Sequence, residues 1–370
     1  MMGIDAKGLV LNTLFGHWGK LAPIGDGYTI VVPSPADMPF LLQFALEGLE
    51  NLDLEGCVQV IVIGDGSADD SALRRVVERS GNPRIEMASV SPLTHVFVHG
   101  VPGMRRPGGG VGMWTHWGMV VEGIRRARGE YVFIHDADAF FVDADAIRRQ
   151  YHECLERHMV TLGVTARNDP FLEQQGRTLP GTWELMFSNQ WARGYAPIDH
   201  KGRYRSTPSG VFEFDNMLYP QFMHGQHDAV GVTELPARIL HFAGTIVTYR
   251  SFRDRAGRPV VDEVFRLLFL ALLEDLIPDP GRPRVMLTVD ELARGLTDPS
   301  APVTYGSKVA IQEYPIFRAM IDDLCVSPVM QGARGDRIKE LIHPFDDHFA
   351  AHQADPTLGS LVGHRRNGLG

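Results

Sequence analysis

Along the first half of the chain, short runs of β-branched and aromatic residues alternate with stretches whose apolar positions recur at helical spacing. Residues 28–32 form the first run, and Pro33-Ser34-Pro35 closes it, since proline brings no ladder donor and restricts the residue before it. Asp37 is then expected to cap an amphipathic helix running to about Asn51. Residues 58–63 read as a second buried strand ended by Gly64-Asp65-Gly66-Ser67, residues 68–80 as a helix, and 95–99 as a short third strand. A helix over 118–128 is expected to break at Gly129. The next apolar run, Tyr131-Val132-Phe133-Ile134, leads directly into His135-Asp136-Ala137-Asp138-Ala139-Phe140-Phe141. This alternation predicts an α/β fold, Rossmann-like, with a mostly parallel sheet flanked by helices and with ligands at the carboxyl ends of the strands.

The second half is less regular. Residues 142–159 predict a turn and a helix, and 160–165 an apolar strand. Residues 169–209 are rich in Gly, Pro, Trp and Arg without sustained periodicity, which predicts long loops that can cover a site. Helices are expected over 262–277, 289–295 and 309–324. The resulting organisation is an N-terminal extension over 1–27, a sheet-bearing domain over 28–250, and a helical C-terminal region over 251–370 that packs on it, with a mobile tail after about Asp355.

Composition narrows the classes of function. A chain of 370 residues can bury a large core, and a net charge of −9 with a pI near 5.9 argues against a dedicated nucleic-acid binder, which needs a basic surface. Cys57, Cys154 and Cys325 are far apart and lack metal-ligand spacing, so they predict packing thiols in a reducing compartment. The first 27 residues lack the pattern of a secretory signal. The most apolar stretch, 264–277, carries Arg266, Glu274 and Asp275 and falls short of the roughly 20 apolar residues that span a bilayer. No transmembrane segment is therefore expected, and the cytoplasm is the expected location. The abundance of Gly, Pro, Arg and Ala suits a bacterial coding style.

The chemistry concentrates at Asp136 and Asp138. Two carboxylates one residue apart at a strand's carboxyl end can hold Mg²⁺ or Mn²⁺ and leave coordination positions for a nucleotide pyrophosphate. Aspartates in such places also simply cap the next turn. Residues 105–112, Arg-Arg-Pro-Gly-Gly-Gly-Val-Gly, offer backbone amides and the guanidinium groups of Arg105 and Arg106 to a pyrophosphate, or else form a surface loop.

Three elements in register resemble the nucleotide-diphospho-sugar transferases of the GT-A fold, in particular the family 2-like group. They are Ile30-Val31-Val32-Pro33-Ser34, the acidic-Gly-Ser turn Asp65-Gly66-Ser67 after a strand, and Ala127-Arg128-Gly129-Glu130-Tyr131 followed by Asp136-Ala137-Asp138. The match covers about residues 28–145, with fainter agreement to about 250. The resemblance implies a metal-dependent glycosyltransferase that uses a nucleotide-sugar donor, with a UDP- or GDP-sugar favoured. Its acceptor is expected to be a small molecule or saccharide rather than nucleic acid. Donor contacts are implied for Pro33, Asp65, Asp136, Ala137 and Asp138. A turn-forming role is the rival reading of Asp65, since the acid often found before it in the family is Gly64 here. Where relatives carry Ala-Arg-Asn ahead of the helix preceding the Asp pair, this chain has Trp114-Thr115-His116, so Arg105 or Arg106 is expected to supply the phosphate contact.

Further on, Glu213 and Asp215 fall where the family places its acceptor-side carboxylate, and His241 falls where many relatives complete the metal shell. If the reaction inverts, Asp215 is the first choice of general base and Glu213 the second. If it retains, Asp215 orients the acceptor. Trp183, Glu184, Trp191 and Tyr195 are candidates for a sugar-stacking wall or for packing of the loop on the core, and His224, His227 and Asp228 form another polar cluster. Two rivals share the same residues. A nucleotidyltransferase would also need a Gly-rich, lysine-bearing loop after the first strand, which Pro33-Ser34-Pro35-Ala36-Asp37 lacks. A non-catalytic nucleotide-sugar binder would keep the site without turnover.

Overall fold

The computed structural model describes residues 13–66, 69–91, 110–167, 170–235, 237–254, 260–277 and 284–353. The strand expected at 95–99, Arg105 and Arg106, and the tail after Asp355 lie outside these residues. In chain order the strands are β1 (Gly25–Ser34), β2 (Cys57–Gly64), β3 (Ile85–Ser89), β4 (Gly129–Ile134), β5 (Ala139–Phe141), β6 (Thr161–Gly163), β7 (Ala166–Arg167), β8 (Leu179–Pro180), β9 (Met186–Ser188), β10 (Arg203–Thr207), β11 (Gly210–Phe214), β12 (Val230–Val232) and β13 (Ile239–His241).

The main sheet has seven strands in the order β12-β6-β9-β4-β1-β2-β3. Its β1, β2, β3 and β4 pair in parallel, as do β6 and β12, whereas β9 runs antiparallel to both of its neighbours. The strands of its centre are buried on both faces, as their unbroken apolar runs require. One face presents Val31, Ile61, Ile63, Val132 and Ile134 to Met119, Val120 and Ile124 of the helix Gly110–Arg126. The other places Tyr28 and Tyr131 against Tyr151 of the helix Ala146–Glu156, with ring centroids 4.9 and 6.0 Å apart. Gly123 allows the closest approach, for a Cβ there would lie 2.4 Å from Val31 Cγ1.

Several expectations shift. The helix read as 118–128 begins at Gly110 and ends at Arg126, and Gly129 opens β4 instead of closing the helix. A Cβ at Gly129 would come within 2.6 Å of the Tyr28 backbone, so the residue is small because a neighbouring strand passes beside it. Asp37 sits in the turn closed by Met38 N–H to Pro35 C=O, and the helix Pro39–Glu50 starts beyond it with proline at its first position. The stretch 169–209, read as long loops, contains the sheet strand β9 and the short helices Pro170–Gln174 and Asn189–Arg193. A three-residue strand has no readable period, and β9 exists because β4 and β6 pair with it from either side.

The chain divides into two compact units. The first comprises Met1–Leu42, Leu52–Ala137 and Ala144–Ala237 and holds the main sheet. The second comprises Gln43–Asn51, Asp138–Asp143 and Arg238–Gly370. In it the antiparallel pair β5 and β13 accompanies the helices Thr245–Asp254, Val264–Asp275, Val289–Ala293, Lys308–Val326 and Ala333–Gln353. Its core is aromatic: Phe265 stacks on Phe317 with centroids 4.9 Å apart, and Tyr314 on Phe349 at 4.1 Å. No helix among the described residues is long and apolar enough to cross a membrane.

Candidate functional site

The carboxyl ends of β1, β2 and β4 lie side by side, with Pro33 paired to Ile63 and Val31 to Ile134. Asp65, just past β2, is 2% exposed; its N–H donates to Ser34 C=O at 3.2 Å and its Oδ1 accepts from Ala36 N–H at 3.2 Å. Its carboxylate therefore fastens the turn that follows Pro33. Gly64 has a local reason as well, because a Cβ there would meet both carboxylate oxygens of Asp70 within 2.8 Å. Asp70, which also accepts a hydrogen bond from the Ser89 hydroxyl, fills that space.

Beyond β4 the chain is held from beneath by Glu184. His135 N–H continues the ladder to Val31 C=O at 2.9 Å, and its Nδ1 lies 3.0 and 3.2 Å from the Glu184 carboxylate oxygens. Glu184 Oε1 also accepts from Asp136 N–H at 3.0 Å, and Gln150 Nε2 donates to Glu184 C=O at 3.1 Å. Glu184 is fully buried and adopts a left-handed backbone, φ +49°, which is costly for a residue with a Cβ. Burial raises its carboxyl above the usual range, while the neighbouring His135 opposes that shift. Glu184 therefore braces the Asp136 backbone and takes no place in an exposed stacking wall. Trp191 is a packing residue too, lying edge-on to Phe187, Tyr195 and His224.

Asp136, Asp138 and His241 converge. Each offers one ligand atom, and these atoms all lie within 4.8 Å of one another. Asp138 is 5% exposed, with Oδ1 3.4 Å from His241 Nε2. β13 delivers His241 opposite Ala139 of β5, and Phe242 N–H donates to Asp138 C=O at 3.1 Å. A carboxylate buried to this degree needs an opposite charge or a metal. Two carboxylates and an imidazole, two of them largely withdrawn from water, make a donor set that suits Mn²⁺. The softer imidazole nitrogen is a poorer match for Mg²⁺, which prefers oxygen. Ala137, between the acids, is buried.

Asp136 has a further neighbour that no local pattern announced: His116 Nε2 approaches its Oδ1 to 3.4 Å. Nδ1 of the same ring lies 3.2 Å from Asn216 Nδ2. Asp215 precedes Asn216 and follows β11. Its Oδ2 is 3.5 Å from Arg167 Nη1, and its Oδ1 accepts from Asn216 N–H at 2.7 Å. Glu213 lies exposed on β11 opposite Tyr204, on the face away from the buried Phe214. His227 and Asp228 are exposed on a single turn of 3₁₀ helix.

No family model matches the chain, and no curated protein sequence matches it. Among solved structures it is similar to the mannosyltransferase PcManGT from Pyrobaculum calidifontis in complex with GDP-Man and Mn²⁺, at 15% identity and a TM-score of 0.40, over 92% of this chain and 94% of that one. It is similar also to the galactosyltransferase LgtC in complex with donor and acceptor sugar analogs, at 14% identity and a TM-score of 0.40, over 58% and 87%. A third is glucosyl-3-phosphoglycerate synthase from Mycobacterium tuberculosis in complex with phosphoglyceric acid, at 16% identity and a TM-score of 0.37, over 70% and 82%. Likeness of this degree assigns neither activity nor ligand to the chain.

Proposed function

We propose that this protein is a metal-dependent glycosyltransferase of GT-A type that moves a sugar from a nucleoside-diphosphate sugar, UDP- or GDP-linked, to a hydroxyl of a small-molecule or saccharide acceptor. The observation that carries this reading is the convergence of Asp136, Asp138 and His241 at the carboxyl end of β4, in a mostly parallel sheet. That is where an α/β sheet presents its ligands. Asp136, Asp138 and His241 would hold the cation, Mn²⁺ in preference to Mg²⁺. When bound, it supplies Lewis-acid stabilisation of the negative charge that grows on the departing diphosphate.

The remaining steps belong to the chain's own groups. Asp65 holds the turn after Pro33 in shape beside the donor, and Glu184 fixes the backbone that aims Asp136. Asp215 is the acceptor-side carboxylate in this reading. Because Arg167 partners its carboxylate, its role is to orient the acceptor hydroxyl, and it serves as base only once that ion pair opens. Glu213, exposed on the hairpin, is the weaker of the two candidates. The three buried free thiols support a reducing, cytoplasmic setting.

Release of nucleoside diphosphate from a panel of nucleotide sugars, with Mn²⁺ and with chelator, tests the reading. Turnover is expected with Mn²⁺ only, and Asp136→Asn or Asp138→Asn should lower it by at least about 100-fold, as loss of charge-stabilising groups does. Full turnover of these variants in chelator would refute it. Pyrophosphate release from a nucleoside triphosphate would instead indicate a nucleotidyltransferase, and binding without turnover a non-catalytic protein.

A further inference from the structure

The helix Gly110–Arg126 and the segment after β11 meet at one imidazole. Gly202 N–H donates to Asn216 Oδ1 at 2.8 Å, which fixes the orientation of an amide that is 2% exposed. The Nδ2 group must therefore face His116, where it lies 3.2 Å from Nδ1. An amide nitrogen only donates, so Nδ1 is the acceptor and the ring's proton resides on Nε2. That atom lies 3.4 Å from Asp136 Oδ1. A relay of three polar contacts thus leads from the Gly202 backbone to one carboxylate oxygen of the proposed metal site. Met217, the next residue, holds φ +65° with its side chain buried and its N–H donating to His200 C=O at 2.8 Å. A non-glycine residue is kept in that region only where its surroundings over-determine it, so Asn216 is presented on a rigid support.

We propose that His116, locked in its Nε2–H form by Asn216, is a positioning residue that fixes the rotamer of Asp136 and so sets the protein's affinity for the divalent cation. The inference rests on the metal reading given above. A carboxylate that must bind a cation through one oxygen gains from having the other contact fixed, because the rotamer is then selected before the ion arrives. Loss of such supporting partners typically weakens metal binding 10- to 100-fold. The fixed tautomer matters as much as the ring. With the proton on Nδ1, a lone pair would face the carboxylate and repel it.

The test is Mn²⁺ titration of the full chain without nucleotide, followed by the paramagnetic resonance of free Mn²⁺, alongside thermal unfolding with and without the ion. His116→Gln extends its amide to about where Nε2 lies and should bind Mn²⁺ within a few-fold of the parent. His116→Asn can still meet Asn216 but falls short of Asp136, and should bind about 10-fold or more weakly while unfolding at the parent's temperature in the absence of metal. Equal Mn²⁺ affinity for the parent, His116→Asn and His116→Gln would overturn the proposal and leave the metal site standing. A parent that binds no Mn²⁺ would overturn the metal reading itself, and this proposal with it.

Discussion

At the residue scale, what decides the site is the set of groups that support the two aspartates as much as the aspartates themselves. The Asp136-Ala137-Asp138 signature is legible in the chain because its members are two positions apart. Glu184 and Asn216 are 48 and 80 positions from Asp136, and His116 is 20, so only folding reveals that they surround it. The sequence singles out Glu184 only as a candidate for a stacking wall or loop packing, because it reads there as one polar residue in an irregular stretch. The signal that marks it is structural: a carboxylate with no exposure and a left-handed backbone. Glu184→Ala would leave Asp136 N–H and His135 Nδ1 without their acceptor in a dry environment. It should cost roughly 2–4 kcal/mol of stability, against a smaller loss for Glu184→Gln, which keeps one acceptor oxygen. Chemical denaturation of the two variants measures the difference, and equal losses would show that the carboxylate is not acting as a shared acceptor.

At the scale of elements, the strands β1, β2 and β4 are readable because burial on both faces demands uninterrupted apolar runs. β9 is not, because it is too short to show a period. The 3₁₀ turn Pro197–His200 shows how a polar residue is enlisted in a core. His200 is fully buried, its Nε2–H donates to Ala192 C=O at 2.8 Å, and Trp18, Trp191 and Tyr195 surround the ring. Burial pushes its pKa down to about 4 from 6.5. The unfolded chain therefore binds a proton that the folded chain refuses between these values. The contribution of neutral His200 is complete above pH 6.5 and is lost as pH falls toward 4, by at most about 3 kcal/mol. The melting temperature of His200→Leu should fall less steeply than the parent's over that window; parallel curves would contradict the assignment.

At the scale of the whole molecule, the second compact unit is not confined to the C-terminal residues. It includes Asp138 through its segment Asp138–Asp143, and His241 on β13. Phe269 of the helix Val264–Asp275 stacks on Phe242 at 3.6 Å and meets Phe140 edge-on at 5.7 Å, so the pair β5 and β13 rests on it. The long apolar run of that helix announces its burial in the sequence, but which strands it supports does not follow from any local pattern. Phe269→Ala should cost about 3–5 kcal/mol and weaken Mn²⁺ binding as well, because the support of both Asp138 and His241 is loosened. Stability loss with unchanged Mn²⁺ affinity would show that the hairpin is held by other means.

Asp136, Asp138 and His241 together are proposed to grip one divalent cation. Anomalous diffraction at the manganese edge, from a crystal soaked in Mn²⁺ and a nucleoside diphosphate, tests this. A single strong peak is expected within about 2.0–2.4 Å of one carboxylate oxygen from each aspartate and of a His241 ring nitrogen. A soaked crystal with no peak there, or with the ion held by other residues, would contradict it.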